Sequence, residues 1–181
     1  MRIVSGKYKG RVIHPPKNFK ARPTTDFAKE NLFNILNNNF DFSELKVLDL
    51  FSGTGSISFE FASRECISVT SIESNFRHHA FIKKAIEELG VETIKAIKSD
   101  AFRYVKSCKE KFDIVFADPP YALKEIDTIP DYIFDQEILN PGAWLIVEHG
   151  DKTIFGRHPA FIELRKYGGV NFSIFENSKT S

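Results

Sequence analysis

The sequence predicts an α/β domain with a mostly parallel sheet and helices on both of its faces. From Leu45 onward, apolar runs of strand length alternate with segments of helical periodicity. This alternation is typical of parallel strands joined by crossover helices. Two last apolar runs flank Gly168-Gly169, which predicts an antiparallel hairpin at one edge of the sheet. With 181 residues, the chain has room for one such domain and a small extension.

Two elements are expected before the sheet begins. Short apolar alternation within residues 1–13 predicts a small β-hairpin. Apolar residues then recur at helical spacing over residues 28–36, and three consecutive asparagines follow them. Thr25 or Asp26 is the expected N-cap, so a helix begins there and ends near the asparagines.

From residue 45 the predicted strands and helices alternate. Strands are expected at 47–50, 68–73, 93–98, 112–117, 143–147, 161–167 and 170–175, and helices at 56–64, 76–89, 102–107 and 127–134. A turn at Pro141-Gly142 is expected directly before the fifth strand. Ligands of open α/β sheets bind beyond the carboxyl ends of the strands, so functional residues are expected at those ends.

Composition excludes several classes of protein. The chain is 42% hydrophobic and 27% charged, which is ordinary globular composition, and it has no apolar run of membrane-spanning length. No apolar leader follows Met1. Cys66 and Cys108 lie far apart without CxxC spacing, and the five histidines form no ligand pattern. We therefore expect a cytoplasmic protein without a disulfide framework, a metal or a membrane partner.

Charge is distributed unevenly along the chain. Residues 1–22 hold seven of the 25 basic residues and none of the 24 acids, so the remainder carries a net charge of −6. A basic arm before an acidic body indicates a polyanionic partner. A solvated, charged tail is the alternative interpretation of the same pattern.

The first motif is a glycine-rich loop, Asp49-Leu50-Phe51-Ser52-Gly53-Thr54-Gly55, between a strand and a helix. Its glycines allow close approach of the backbone to a ligand, although a turn that needs glycine only for its geometry would look the same. Ser58 stands where a dinucleotide fingerprint has a third glycine, which disfavours a nicotinamide cofactor. Asp49 would repel phosphate and suits a cationic group such as an ammonium.

Two more carboxylates follow strand ends. Glu73 could accept hydrogen bonds from both hydroxyls of a ribose, or could simply favour the following helix electrostatically. Asp100 could accept from an adenine amino group while Phe102 lines the ring, or could be a helix N-cap.

The fourth motif, Asp118-Pro119-Pro120-Tyr121, is the most specific one in the chain. Two prolines end the strand and rigidify the loop, because they fix φ and donate no hydrogen bond. The Asp118 carboxylate and a loop carbonyl can both accept from a flat exocyclic amine, and Tyr121 can stack on the base that carries it. A proline-rich strand terminator without function is the alternative.

These motifs, in this order, resemble class I S-adenosylmethionine-dependent methyltransferases that methylate amines. The N-terminal part, with Arg2-Ile3-Val4-Ser5-Gly6, Lys9-Gly10-Arg11, Arg22-Pro23-Thr24-Thr25-Asp26 and Glu30–Asn34, resembles the bacterial 16S ribosomal RNA guanine-N2 methyltransferase family (RsmD-like). The chain departs from the family where Tyr8 replaces a usual tryptophan, Ser5 a glycine, and Phe27-Ala28 an Arg-Val pair. The lost arginine removes one expected phosphate contact.

The resemblance implies a Rossmann-like fold and a role for each motif. The methionine part of the cofactor is expected at Asp49 and the loop, its ribose at Glu73 and its adenine at Asp100. The expected cofactor-binding residues are Asp49, Phe51, Ser52, Gly53, Thr54, Gly55, Glu73, Ser74, Asp100, Ala101, Phe102 and Asp118. The expected catalytic residues, which hold the guanine, are Asp118, Pro119, Pro120 and Tyr121.

The basic arm completes the expected arrangement. Residues 1–25 form an RNA-binding extension and residues 26–181 the methyltransferase domain. RNA contacts are expected from Arg2, Lys7, Lys9, Arg11, Lys20, Arg22, Thr24 and Thr25. The target guanine must be unpaired or flipped out to reach the loop. A small-subunit ribosomal particle is the implied substrate, and a monomer the expected state.

Other functions fit parts of the same pattern. An adenine-N6 methyltransferase that acts on DNA or RNA would use the same Asp118–Tyr121 loop. A non-catalytic RNA-binding protein could retain the cofactor fold, and a nicotinamide oxidoreductase would share the glycine loop. Cys66 and Cys108 lie near no motif, which disfavours methylation through a covalent cysteine intermediate.

Overall fold

The computed structural model describes residues 1–16, 19, 25–120 and 122–179. The predictions for Lys20, Arg22, Thr24 and Tyr121 fall outside these ranges. Five helices are present in the described part, namely α1 (Asp26–Asn39), α2 (Ser56–Ser63), α3 (Phe76–Leu89), α4 (Ala101–Ser107) and α5 (Ile129–Asp135). Seven strands accompany them, namely β1 (Lys46–Leu50), β2 (Ser68–Glu73), β3 (Ile94–Lys98), β4 (Phe112–Ala117), β5 (Leu139–His149), β6 (Phe161–Tyr167) and β7 (Val170–Glu176).

All seven strands belong to one sheet in the order β3-β2-β1-β4-β5-β7-β6. The first five of these strands are mutually parallel, and β7 pairs antiparallel with both β5 and β6. From β1, the strands β2 and β3 are added on one side of the sheet, and β4 and β5 on the other, so the strand order reverses between the neighbours β1 and β4. The predicted fold class is confirmed, and this reversal creates the crevice in which open α/β sheets bind ligands.

Successive residues of the central strands contribute to opposite faces of the sheet. Val47 and Ile114 pack into an apolar cluster with α1, α2 and α3, whereas Leu48 and Val115 pack into a second cluster with α4 and α5. All four side chains are fully buried. Helices therefore cover both faces, which explains why the strands appear as continuous apolar runs in the sequence.

The start of α1 follows the predicted capping. Thr25 is the N-cap, and its hydroxyl accepts a hydrogen bond from the Ala28 backbone N–H at 3.2 Å. The helix ends at Asn39, within the asparagine run. The helix predicted at 127–134 begins as a 3₁₀ turn at Ile126–Thr128 and continues as α5, and a 3₁₀ turn at Phe42–Glu44 was not predicted.

The predicted turn at Pro141-Gly142 is wrong, because these residues lie inside β5. Phe112 pairs with Leu139 and Ile114 with Trp144. An advance of two positions along β4 therefore corresponds to an advance of five along β5, which marks a β-bulge in β5. Gly142 has a φ of 75° at this bulge. Its N–H donates to the Asn177 carbonyl at 2.7 Å, which stabilises the bulge from the end of the chain.

The predicted N-terminal hairpin is present and packs against α2. Arg2 and Val12 form an antiparallel bridge, and Ile3 is 2% exposed within the first apolar cluster. The Lys7 N–H donates to the Ser63 carbonyl at 2.7 Å. Residues 1–13 are therefore part of the packed body, although the sequence predicted them as an extension.

Within the described ranges, none of the helices combines the length and the apolarity that crossing a bilayer requires.

Candidate active site

A cavity of about 640 Å³ lies at the carboxyl ends of the parallel strands, a size typical of small-molecule sites. Predicted residues on its wall are Thr25, Phe51, Gly53, Glu73, Ser74, Asp100, Ala101, Asp118, Pro119 and Pro120. Other predicted cofactor residues do not line the cavity, namely Asp49, Ser52, Thr54, Gly55 and Phe102. The structure thus brings residues of all four motifs to one cavity.

The glycine loop needs left-handed backbone at three positions. Phe51, Gly53 and Gly55 have φ values of 61°, 54° and 77°. Gly55 is also the N-cap of α2, and a Cβ there would lie 3.2 Å from side-chain atoms of Ile82 and Phe59. Glycine at position 55 is therefore required by the fold, whatever its role toward a ligand.

Asp49 lies beneath this loop and is 1% exposed. Its Oδ2 accepts from the Ser58 backbone N–H at 3.1 Å and from the Ser58 hydroxyl at 2.5 Å. Burial raises the pKa of the carboxyl to about 7, against the lowering effect of these hydrogen bonds. Ser58, noted in the sequence for replacing a glycine, thus holds the Asp49 side chain.

Glu73 connects two loops of the cavity wall. Oε2 accepts from the Gly53 N–H at 2.8 Å, and Oε1 accepts from the Asn75 N–H at 2.6 Å. His78 lies beside it, with Nδ1 3.9 Å from Oε2. A carboxylate has about four acceptor positions, so Glu73 keeps capacity for a diol that enters the cavity.

Asp100 caps α4, as the structural alternative proposed, and also lies on the cavity wall. Oδ1 accepts from the Arg103 N–H at 2.9 Å. Phe102 does not line the cavity, and its ring contacts Phe51 at 6.1 Å and Tyr132 at 5.2 Å between centroids. Phe51 is therefore the ring that faces the cavity, with Phe102 supporting it from behind.

Asp118 follows β4 directly and is half-buried, while Pro119 is buried and Pro120 exposed. The pKa of the Asp118 carboxyl is raised well above its usual range. Desolvation is the main cause, and the Glu148 and Asp49 carboxylates add repulsion. Asp118 is thus a poorly solvated acceptor at the end of a rigid loop.

Glu148 is a wall residue that the sequence analysis missed. It is 4% exposed and lies near the end of β5. Ala117 pairs with Val147 across β4 and β5, so Asp118, just after β4, and Glu148, in the last two residues of β5, are neighbours at this edge of the sheet. An acid immediately after the apolar run 143–147 was the available sign in the sequence.

Two further segments line the cavity, and Thr25 is the one residue in them that was predicted to belong to the site. Phe27 of α1 and the β6–β7 turn, from Tyr167 to Val170, line it. Asn75, His78 and Ser99 also contribute to the wall. The spacing of these residues in the sequence gave no indication that they converge.

The described residues of the basic arm are exposed, but they are not equivalent. Arg2 contacts two acids of α1, with Nε 3.2 Å from Asp26 and Nη2 3.9 Å from Glu30. Lys7 lies 5.7 Å from the ring centroid of Tyr8. Lys9 and Arg11 are exposed on the second half of the hairpin, where the Arg11 carbonyl accepts from the Ile3 N–H at 3.0 Å. Within the described ranges, no group of three or more His, Cys, Asp or Glu residues has a geometry that could hold a metal.

Similar proteins include several with the name ribosomal RNA small subunit methyltransferase D, among them one from Buchnera aphidicola and one from Haemophilus influenzae. The protein of Buchnera aphidicola is 34% identical over 67% of this chain and 61% of its own length. That of Haemophilus influenzae is 29% identical over 98% of this chain and 94% of its own.

Solved structures share the fold. A hypothetical protein of Thermus thermophilus superposes with a TM-score of 0.86 at 22% identity, over 97% of this chain and 99% of its own. A 16S rRNA N2 methyltransferase of the same organism, solved with AdoMet and guanosine, gives a TM-score of 0.69 at 18% identity, over 88% of this chain and 45% of its own.

A family model described as Conserved hypothetical protein 95 matches residues 1–176, which include all four motifs and the closing hairpin. The chain therefore belongs to the Conserved hypothetical protein 95 family.

Proposed function

We propose that this protein transfers a methyl group from S-adenosylmethionine to the exocyclic N2 amine of a guanine in small-subunit ribosomal RNA. The observation that carries the proposal is the convergence of Glu73, Asp100 and Asp118 on one cavity that the rigid Pro119-Pro120 segment borders. The names of the two relatives support ribosomal RNA of the small subunit as substrate. The T. thermophilus N2 methyltransferase of the same fold supports the acceptor amine.

The residues of the cavity fit this cofactor. S-Adenosylmethionine carries a sulfonium cation, and Glu73, Asp100, Asp118 and Glu148 give the wall an acidic character that attracts positive charge. Glu73 is positioned to accept from a ribose diol. Asp100 and Ala101, at the start of α4, would border the adenine, with Phe51 against its ring. When bound, the cofactor supplies an already activated methyl group.

The geometry changes the role expected of Asp49 at the methionine end of the cofactor. Asp49 lies behind the loop and its carboxylate is held by Ser58. We assign it a supporting role, in which it fixes the loop that surrounds the cofactor.

At the acceptor side, Asp118 performs the central task. Its carboxylate accepts an N–H of the guanine amine, which aligns the nitrogen lone pair with the methyl carbon. The bound cofactor would supply the methyl group and would keep the electron pair of its S–C bond, so the new N–C bond takes its electrons from the amine nitrogen. The nitrogen becomes cationic and must release a proton, for which the raised pKa of Asp118 makes it a suited acceptor. Pro119 and Pro120 keep the carboxylate and the adjacent carbonyl in place.

Nucleoside analysis tests the base and the atom. The protein is incubated with labelled S-adenosylmethionine and ribosomal RNA that lacks methylation, and the RNA is digested and analysed by mass. Label in N2-methylguanosine is expected. Label in N6-methyladenosine would favour the adenine alternative, and the absence of any transfer despite cofactor binding would favour a non-catalytic RNA-binding protein.

A further inference from the structure

Two aromatic rings at the rim of the cavity have no part in the proposed methyl transfer. Phe27 lies in the first turn of α1 and is 64% exposed. Tyr167 ends β6, and its ring meets that of Phe27 at a centroid distance of 6.1 Å and an angle of 83°. Both residues line the same cavity as Asp118. Phe27 and Tyr167 therefore form an aromatic pair at the rim of the cavity, in which the Phe27 ring is exposed.

The Tyr167 ring is fixed by packing, and the space beside the two rings is open to a ligand. Tyr167 is half-buried and contacts the fully buried Phe172 at 6.0 Å, so its ring is anchored to the sheet. The edge-to-face contact with Tyr167 leaves most of the Phe27 ring exposed. Gly169, in the adjoining turn, lines the cavity, and a Cβ at this position would meet nothing within 4 Å.

We propose that Phe27, supported by Tyr167, is a stacking platform for a nucleobase that flanks the methylated nucleotide in single-stranded RNA. This inference rests on the proposed function. A guanine whose amine reaches half-buried Asp118 must enter through the rim, and its neighbours in the strand then lie at the rim. Unstacked bases bind to exposed aromatic rings without regard to sequence. Phe27 thus contributes affinity by stacking rather than by a phosphate contact.

Four variants test the platform by steady-state kinetics. Phe27→Ala and Phe27→Leu should raise the KM for RNA by about tenfold or more and leave the KM for S-adenosylmethionine unchanged. Phe27→Trp should keep the wild-type KM, because an aromatic face remains. Ile154→Ala is the matched control, since Ile154 is 84% exposed and does not line the cavity. Ala and Leu favour helices, so α1 is retained.

Fluorescence tests the contact without requiring methyl transfer. Trp144 is the one tryptophan of the chain and is 8% exposed, so Phe27→Trp adds a distinct reporter. A single-stranded RNA dodecamer should quench Phe27→Trp more strongly than Ile154→Trp. Equal quenching, or an unchanged KM in Phe27→Ala while the wild type methylates RNA, would overturn the platform. Quenching without any transfer would instead count against the proposed function alone.

Discussion

At the scale of single residues, Asp118 carries the proposed chemistry. Asp118→Ala should lower the rate of methyl transfer by about 100-fold or more, because it removes the acceptor that aligns the amine. The binding of S-adenosylmethionine should persist, since Glu73 and Asp100 remain. Single-turnover assays and calorimetry measure the two quantities separately, and full activity in this variant would refute the role of Asp118.

The raised pKa of Asp118 predicts how activity depends on pH. The carboxyl must be ionised to accept from the amine, so kcat should increase as the pH rises through this pKa. Glu148→Gln removes a neighbouring negative charge and should shift the rise to lower pH. A profile of kcat against pH for both proteins measures the shift. A shift to higher pH would show that Glu148 does not act on Asp118 in this way.

Asp49 predicts a pH effect on stability rather than on activity. Its pKa is about 7 in the folded protein, against 3.8 for an aspartate in the unfolded chain. The folded state therefore binds a proton that the unfolded state has lost, and the free energy of unfolding should fall between about pH 4 and pH 7. Asp49→Asn should reduce this slope. Urea unfolding across the range provides the measurement, and an equal slope in both proteins would contradict the assignment.

The sequence predicted where the motif residues lie better than it predicted what their side chains contact. Asp100, Glu73 and Asp118 follow strand ends, and parallel strands bring such positions to one edge. Side-chain direction is decided by packing, which is why Asp49 lies beneath the loop with Ser58. That Glu148 and Phe27 line the cavity was not predicted, because their positions there depend on contacts between segments distant in the sequence.

At the scale of elements, periodicity predicted the five helices and every strand except β5 within one or two residues, whereas β5 begins four residues before its predicted start. The bulge in β5 was the main error, since Pro-Gly is equally compatible with a turn. The outcome is decided by Asn177, whose carbonyl accepts from Gly142 and whose side chain donates to Leu139 at 3.0 Å. Such a long-range contact leaves no local pattern in the sequence.

The contact between the N-terminal hairpin, α1 and α2 depends on buried Glu60. This carboxylate accepts from the Val4 N–H at 2.8 Å, from Lys29 Nζ at 3.1 Å and from Arg64 at 2.7 Å. Lys29 is 1% exposed, so Glu60→Ala leaves a buried cation without its main partner. We expect a loss of about 3–5 kcal/mol in the free energy of unfolding.

Urea unfolding measures the effect of Glu60→Ala. Glu65→Ala, on the exposed residue just after α2, is the control that should change little. If both variants lose the same stability, the buried network does not hold the hairpin to α2.

At the scale of the whole molecule, the net charge of +1 is the sum of a basic N-terminal segment and an acidic remainder of the chain. The hairpin presents Lys9 and Arg11 to solvent, and Arg2 joins it to α1 near the rim of the cavity. Four acidic residues, in contrast, line the cavity itself, namely Glu73, Asp100, Asp118 and Glu148. This arrangement suits a protein that binds an RNA backbone outside and a cationic cofactor inside.

The double variant Lys9→Ala/Arg11→Ala should weaken RNA binding and flatten its dependence on salt, by about 0.7 in the logarithmic slope for each lost phosphate contact. Lys109→Ala/Lys111→Ala removes equal charge near the amino end of β4, away from the cavity, and serves as control. Binding titrations at several salt concentrations compare the two. An unchanged slope in the hairpin variant would exclude the hairpin as a phosphate contact.

The most direct test of the central claim is methyl transfer to small-subunit ribosomal particles that lack their guanine-N2 methylation. With labelled S-adenosylmethionine, the wild-type protein should place one methyl group per particle on the N2 of a single guanine, and Asp118→Ala should place none. Label on an adenine, or equal transfer by both proteins, would contradict the account.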